Sequence, residues 1–333
     1  MFTTSLIDRK RLNDAVWDAF VAQSPQGSLY AHCWYLDALI PGWQALIVSK
    51  GDVWQAVMPL GIRRKFGIRY ALQPSFCQYL GVLFAPFEGK IHRIMHRKRE
   101  VLQSLLNAMP RDLRYWSYNF SPSFDYFLPF SRRQCAITPR VNHRLDLERP
   151  LKIIAADFSS SVTNHLKKAR HAGLVCREGF DIAPLAGQMR RFGFVRTKAE
   201  QAAFIRLWQA ARTRRQGFLL EIADAGGVVH CRGAFLTSAE KAVFVASALE
   251  PACKNRGANS LLVWRAIEHC QAHGIGELDF KGSMLAGVEH FILGFHPRQE
   301  VYFNITQNRL GPVGNLLYRM QNTARDFVKK FNY

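Results

Sequence analysis

The chain has 333 residues, with 45 Lys and Arg against 25 Asp and Glu, so its formal net charge is +20 at pH 7. With a hydrophobic content of 48%, this length suffices for one or two ordinary cores, two being the better fit. No run of about 18 apolar residues occurs, which excludes a predicted transmembrane helix.

The charge balance is the strongest feature of the composition. A positive field attracts polyanions such as nucleic acid, anionic lipid, nucleotide-linked sugars or coenzyme A. The alternative is a basic surface that serves only solubility. The seven cysteines are scattered without a C-x-x-C pair, which argues against disulfides and a zinc site, so no metal is predicted. The opening MFTTSLIDRK lacks the apolar stretch of a signal peptide, and we expect a cytoplasmic protein.

In the first 140 residues, helical patterns come first and strand patterns follow. The predicted helices cover about 12–22 and 33–39, the predicted strands 45–49, 54–64, 69–73 and 79–84, and a basic helix covers about 91–106 before a strand at 116–120. Residues 124–130 are predicted as a loop or a short element.

The second half begins with helices. Residues 139–152 are interpreted as a connection, and helices are predicted over 159–174 and 198–218. Strand patterns at 218–224, 228–238 and 242–249 then lead to a loop, a helix and another strand. Because the first half shows the same order, we interpret the chain as an internal duplication. The alternative is two unrelated α/β halves.

A basic loop between a strand at 243–249 and a helix at 260–272 predicts an anion site. Free backbone N–H groups at a helix start and the helix dipole both favour a negatively charged ligand, such as the pyrophosphate of coenzyme A. The loop residues are Lys254, Asn255, Arg256, Gly257, Ala258 and Asn259. The alternative is an ordinary turn before a helix.

Two resemblances follow from these patterns. The order strand, loop, helix, strand (275–280), helix resembles the C-terminal half of a GNAT-type N-acyltransferase domain. The segments NHLKKARHAGLVC and FIRLWQAARTRRQGF, followed by LDFKGS and GVEHFILGFHP, resemble motifs of the Fem family, the peptidoglycan-bridge aminoacyltransferases. These matches span about residues 140–300, whereas the first half resembles the family in layout only.

The resemblance implies an α/β (α+β) fold of tandem, duplicated GNAT-like domains, each a mixed, mostly antiparallel sheet flanked by helices. The implied domains are 1–140 with a returning C-terminal helix at 314–333, and 141–313. The implied activity is transfer of an acyl or aminoacyl group from acyl-CoA or aminoacyl-tRNA to an amine on an anionic molecule, such as a nucleotide- or lipid-linked cell-wall precursor. Contact with a membrane surface stays open, and no permanently bound cofactor is expected.

The sequence departs from both patterns at defined positions. Lys254 and Asn259 stand where the GNAT loop usually has Gln or Arg and Gly or Ala. Ile292 stands where Fem enzymes commonly have a lysine that stabilises charge near the reacting carbonyl. Lys281 in the DFKGS segment is the candidate to supply that cation instead.

Acyl transfer to an amine needs a base and a group that stabilises the oxyanion. The candidate bases are Asp279 and Glu250, each at a strand end. The alternatives are that Asp279 caps the turn that follows it and that Glu250 forms a salt bridge with Lys254 or Arg256.

Basic helix positions are the candidates for contacting an anionic substrate. They are Lys167, Lys168, Arg170, Arg214 and Arg215, with Ser283 added from the DFKGS segment. The alternative for each is a solvated helix face. The competing function is a non-catalytic GNAT-like module that only binds tRNA, other polyanions or anionic lipid.

Overall fold

A computed structural model describes residues 1–282 and 286–311 and divides the chain into two compact units. Unit 1 comprises Met1–Arg140 together with the chain from Tyr302, and unit 2 comprises Val141–Val301. The chain passes between the units within two strands, so the second passage precedes the expected position at residue 313. The predicted C-terminal helix at 314–333 lies outside the described residues.

Unit 1 begins with a strand at the N-terminus that the sequence patterns did not indicate. Its elements in chain order are β1 (Thr3–Asp8), α1 (Asp14–Gln23), α2 (Cys33–Leu39), β2 (Gln44–Lys50), β3 (Val53–Leu60), β4 (Ile62–Lys65), β5 (Ile68–Leu72), β6 (Leu83–Phe84), α3 (Ile91–Ala108), β7 (Leu113–Asn119) and α4 (Leu128–Arg132). Strand β8 (Ala136–Asp146) then leads into unit 2.

Unit 2 contains the longer run of hydrogen-bonded neighbouring strands. Its further elements are α5 (Leu151–Ala156), α6 (Ser160–His171), β9 (Val175–Glu178), α7 (Ile182–Arg191), α8 (Lys198–Thr213), β10 (Gly217–Ala223), β11 (Val229–Thr237), β12 (Lys241–Leu249), α9 (Ala258–Ala272), β13 (Glu277–Asp279) and α10 (Ala286–Leu293). Strand β14 (Arg298–Asn308) returns the chain to unit 1.

The strands of each unit are mostly antiparallel. In unit 1, one group has the order β1-β2-β3-β6 and another the order β4-β5-β7-β14, in which β5 and β7 are parallel. In unit 2 the order is β8-β13-β12-β11-β10-β9, with β12 and β13 parallel. Short connections allow the antiparallel pairs, whereas the parallel pair β12–β13 requires the crossover helix α9.

Apolar faces of helices pack on these strands. In unit 2 the core joins α6, α9 and α10 to the sheet through residues such as Leu262, Phe235 and Phe295, all fully buried. In unit 1, Trp17, Trp43 and other aromatic side chains fill the interior. In the two described ranges, no helix combines the length and apolar character needed to cross a bilayer.

Several sequence-based boundaries were wrong. The predicted strand at 54–64 is two strands, β3 and β4, which are separated at Gly61. An added Cβ at Gly61 would lie 2.7 Å from the Ile40 side chain. The predicted connection at 139–152 is β8 followed by α5, and the strand predicted at 79–84 covers only 83–84. The helix predicted over 198–218 ends at Thr213, since Gly217 already begins β10.

Candidate functional site

The parallel strands β12 and β13 separate within unit 2. They pair over three positions, from Lys241 opposite Glu277 to Val243 opposite Asp279. Strand β12 continues to Leu249, and its register against β11 shifts by one residue at Val245. Such a bulge bends a strand. The edge of β12 beyond Val243 is therefore left without β13 as its partner.

The helix that follows β12 begins at a glycine that the packing requires. Gly257 occupies the cap position of α9 with φ of 79°, in the left-handed region. A Cβ there would lie 2.1 Å from the backbone oxygen of His165 on α6. As a glycine, the cap residue has no side chain that could cap this end of α9. Because the first amides of a helix have no acceptor inside the helix, this end offers N–H groups to an anion.

The predicted anion loop is divided between the turn and the helix. Lys254, Asn255 and Arg256 are exposed before α9, whereas Ala258 and Asn259 already belong to its first turn. In that turn, buried Ser260 places its hydroxyl 3.5 Å from Nδ1 of His165. The structure thus brings two exposed cations to the start of an uncapped helix.

Asp279 is held by the turn that follows β13. Its Oδ1 accepts a hydrogen bond from the backbone N–H of Lys281 at 2.6 Å, and its Oδ2 accepts one from Nδ2 of Asn142 at 3.2 Å. Nε of Arg144 lies 3.4 Å from the same Oδ2. Burial raises the pKa of this carboxyl, while Arg144 and the two hydrogen bonds oppose that rise. These contacts are the ones expected if Asp279 caps the turn that follows it, which was the alternative to a role as base.

The backbone after Asp279 turns sharply. Lys281 has φ of 62°, an unusual value for a residue with a side chain. At the next residue, Gly282, an added Cβ would lie 1.7 Å from the backbone oxygen of Val141. This close approach explains the glycine of the DFKGS segment. Ser283, predicted to bind substrate, lies outside the described residues.

Glu250 forms an ion pair, but with a partner that the sequence did not indicate. Both of its carboxylate oxygens accept from Nη2 of Arg191 on α7, at 2.6 and 2.7 Å, and Gln188 donates to Oε1. The sequence-based alternative was a salt bridge to Lys254 or Arg256. The structure therefore joins the end of β12 to α7 instead of to the anion loop.

His143 is the residue that the sequence analysis missed. Its side chain is fully buried on β8, and neither ring nitrogen has a hydrogen-bond partner within the described part of the chain. Its backbone pairs with the end of β13: the His143 N–H donates to the Lys281 oxygen, and the Phe280 N–H donates to the His143 oxygen. Burial lowers the pKa of this histidine, and the charge of Glu289 acts in the opposite direction. An imidazole whose pKa is lowered by burial therefore lies on β8, the neighbour of β13 on the side away from β12.

The predicted substrate-contacting cations lie on two helices. Lys167, Lys168 and Arg170 are exposed on α6, which packs along α9. Arg214 and Arg215 are exposed at the end of α8, which packs against α7 and β10. The three cations on α6 thus lie on the helix that contacts the anion loop through His165. The two at the end of α8 lie on a helix that packs against α7 and β10 instead.

A parallel pair of strands that separates after a bulge, followed by a glycine loop and an uncapped helix, is the arrangement of the GNAT fold. The chain has this fold in a tandem, duplicated form with mostly antiparallel sheets. FemX is similar to it over 95% of this chain and 99% of that one, with a TM-score of 0.65 and 10% identity.

Two further solved structures are similar over most of their length. A tandem GNAT protein from the clavulanic acid biosynthesis pathway matches over 92% of this chain and 99% of that one, with a TM-score of 0.56 and 11% identity. L-PGS from Bacillus licheniformis matches over 92% and 95%, with a TM-score of 0.52 and 8% identity. No family model and no curated protein matches the sequence. At these identities the similarity shows the fold.

Proposed function

We propose that the protein is an N-acyltransferase whose donor binds in unit 2. The observation that carries the proposal is the separation of β12 from β13 beside the uncapped start of α9. The edge of β12 beyond Val243, which β13 does not pair, would offer backbone groups to an extended donor arm, and the first amides of α9 would offer N–H groups to its phosphates. The donor classes that fit are acyl-CoA and aminoacyl-tRNA, since both carry phosphate.

Arg256 and Lys254 would bind the phosphates of the donor. Both side chains are exposed at the start of α9, and the helix dipole adds to their attraction for a negative charge. The similarity to the tandem GNAT protein and to FemX supports a role of this fold in acyl transfer. The experiment below distinguishes acyl-CoA from aminoacyl-tRNA as the donor. A long donor such as tRNA would also contact α6, where its phosphates would meet Lys167, Lys168 and Arg170.

Lys281 would stabilise the oxyanion, and His143 would accept the proton of the amine. Lys281 follows the end of β13, and its backbone N–H is fixed by Asp279. Burial lowers the pKa of His143, and within residues 1–282 and 286–311 neither of its ring nitrogens has a hydrogen-bond partner, so the ring could accept this proton once the site opens to admit the amine. In this proposal Asp279 positions Lys281, and Glu250 anchors the end of β12 to α7.

The transfer itself would be direct. The amine nitrogen attacks the acyl carbonyl and forms the C–N bond, the C–S or C–O bond to the carrier breaks, and the leaving thiolate or ribose alkoxide takes its electron pair. The amine proton passes to His143, which can return it to the leaving group. An ester such as aminoacyl-tRNA and a thioester such as acyl-CoA can both react in this way. The acceptor would be an amine on an anionic molecule, which the net charge of +20 would attract to the protein in the cytoplasm.

The test is a panel of donors measured first by thermal shift and then by turnover. Acetyl-CoA, longer acyl-CoAs and aminoacyl-tRNA are each added to the protein, because a bound ligand raises the unfolding temperature by mass action. Transfer to amine acceptors, including nucleotide-linked muropeptides, is then followed by mass spectrometry. We expect one donor class to stabilise the protein and to be consumed.

The variant Lys281→Ala tests the site within that assay. Loss of one oxyanion-stabilising group should lower turnover by about 10²-fold while donor binding stays the same. Lys241→Ala, at the other end of the β12–β13 pair, is the matched control and should keep full turnover. Full activity of the Lys281→Ala protein would exclude this role for the lysine.

A second function, binding without catalysis, is favoured by the net charge alone. In that case tRNA or heparin would bind at low salt, with an affinity that falls steeply as salt is added. Binding of tRNA without transfer of any acyl group from any donor of the panel would favour the binding module over the enzyme.

A further inference from the structure

The tip of the β4–β5 hairpin in unit 1 exposes a phenylalanine in a strained conformation. Lys65 pairs with Ile68, so the turn consists of Phe66 and Gly67, whose φ values are 49° and 76°. A turn with two positive φ values usually has Asn followed by Gly, and a bulky residue in the left-handed region is an outlier. The Phe66 side chain is nevertheless 83% exposed, so no packing against residues 1–282 or 286–311 accounts for it.

Cations surround this tip. Strand β4 contributes three of them, Arg63, Arg64 and Lys65, all exposed. The hairpin runs parallel to the start of β7, because Arg69 lies opposite Leu113, so the turn before β7 lies at the same end of the sheet. That end also carries exposed cations, which are Arg111, Arg114 and Arg309.

Asp112, an acidic residue in the turn before β7, is already paired with a cation. Both carboxylate oxygens of Asp112 accept from Nη1 of Arg69, at 2.7 and 2.6 Å. The remaining six arginine and lysine side chains therefore give this end of unit 1 a concentrated positive charge around one apolar tip. We call these six cations and Phe66 the basic tip.

We propose that the basic tip docks on an anionic lipid bilayer. Phe66 would enter the boundary between headgroups and acyl chains, and the cations would contact lipid phosphates and carboxylates. An aromatic side chain with basic neighbours is suited to this boundary, and Lys and Arg can keep their charges at the headgroups while their stems lie along apolar surface. The strained turn is consistent with a residue kept for contact outside the fold.

The position of Lys65 favours lipid over nucleic acid as the partner. Nζ of Lys65 lies 5.3 Å from the centre of the Phe66 ring and over its face. A base that stacked on Phe66 would compete with this cation for the ring face. Insertion into a bilayer only requires the ring to leave water, which the lysine does not obstruct. Docking on a bilayer does not depend on the acyl transfer proposed above.

The test is sedimentation with vesicles of phosphatidylcholine alone or with about 30% phosphatidylserine. The full-length protein should bind the anionic vesicles more tightly. Phe66→Asn should lower that affinity about tenfold, since an inserted apolar ring is lost while the turn receives the residue it prefers. Arg64→Ala with Lys65→Ala should lower it by about 25-fold, as expected for two charges at the surface of the bilayer.

Two control variants change the same properties elsewhere in unit 1. Val53→Asn removes an exposed apolar side chain next to the β2–β3 turn, and Lys10→Ala with Arg11→Ala removes two charges. Both should bind vesicles like the unaltered protein. The proposal is overturned if Phe66→Asn binds anionic vesicles normally, or if the two charge variants lose affinity equally. It is also overturned if Phe66→Asn loses binding to tRNA but not to vesicles.

Discussion

The two units share an order of elements but differ at the strand that precedes the crossover helix. In unit 2 that strand is β12, nine residues long, which pairs with β13 and then separates from it. In unit 1 it is β6, only two residues long, and the parallel neighbour of β7 is β5 from the β4–β5 hairpin. The hairpin thus takes in unit 1 the place beside β7 that β12 takes beside β13 in unit 2.

The starts of the two crossover helices differ as well. Helix α9 begins beside Gly257, in close contact with α6, whereas α3 begins after Lys90. Neither helix has a side chain as its cap. What distinguishes the units is the length of the strand beside the helix start, because β12 has nine residues and β6, which lies at the edge of its group of strands, has two. The proposal that the donor binds in unit 2 rests on this difference, and the following predictions test it.

The largest expected effect concerns the contact between α9 and α6. Gly257→Ala should destabilise the protein by about 3 kcal/mol or more, because a Cβ would overlap the His165 oxygen and the left-handed backbone would be strained. Chemical denaturation followed by circular dichroism measures the change. Gly227→Ala is the control: its φ is 82° but nothing lies within 4 Å of an added Cβ, so the loss should be about 1 kcal/mol. Equal losses would show that the contact is unimportant.

The next effect concerns donor binding. Lys254→Ala with Arg256→Ala should weaken binding of the donor by about tenfold or more, because two charge-assisted contacts to phosphate are lost. Isothermal titration with the donor found in the panel gives the affinity. Lys90→Ala with Arg93→Ala makes the matching change at the start of α3 and should leave the affinity unchanged. Similar losses in both variants would contradict the assignment of the donor to unit 2.

A smaller effect is a change of stability with pH. Burial lowers the pKa of His143 in the folded protein below its value of about 6.5 in the unfolded chain. Below pH 6.5 the unfolded chain therefore binds a proton that the folded protein does not, and stability falls as the pH falls. The slope from one proton is at most about 1.4 kcal/mol per pH unit.

Unfolding measured between pH 5 and pH 8 tests this dependence. His143→Gln should flatten the curve below pH 6.5, because the titrating group is removed. His171→Gln changes an exposed histidine at the end of α6 and should leave the curve as it was. A His143→Gln curve identical to that of the unaltered protein would show that His143 titrates normally.

The smallest effect distinguishes a strained turn from an ordinary one. Phe66→Asn should stabilise the protein by about 1 kcal/mol, because asparagine tolerates the left-handed backbone and little packing is lost. Chemical denaturation measures this change in the free energy of unfolding. The control variant, Val53→Asn, should change it by less than about 0.5 kcal/mol. A destabilised Phe66→Asn protein would mean that the ring contributes to the fold.

The elements around the proposed donor site were predictable because their patterns are local. The apolar run of β12, the glycine at 257 and the periodicity of α9 each follow from a short stretch of sequence. The tandem GNAT-like fold was confirmed for the same reason, since the order of such elements suffices to define it. Ile292, the departure from the Fem pattern, is buried in the core of unit 2.

The parts that were missed depend on pairing between distant segments. Strand β8 contains Asn142, His143 and Arg144, three consecutive polar residues that are typical of a connection. Asn142 and His143 are buried and Arg144 is half-buried because β13, more than 130 residues away, pairs with this strand. The partner of Glu250 was missed likewise, since Arg191 lies on a helix, α7, that no pattern had indicated.

Hydrogen–deuterium exchange with and without donor tests the central claim, that the donor occupies the gap in unit 2. The protein is measured alone, with acetyl-CoA and with aminoacyl-tRNA. The account predicts that at least one donor slows exchange in residues 244–249 and 257–261, while residues 83–93 in unit 1 are unchanged. Protection of residues 83–93 instead, or no protection of either segment by any donor, would contradict it.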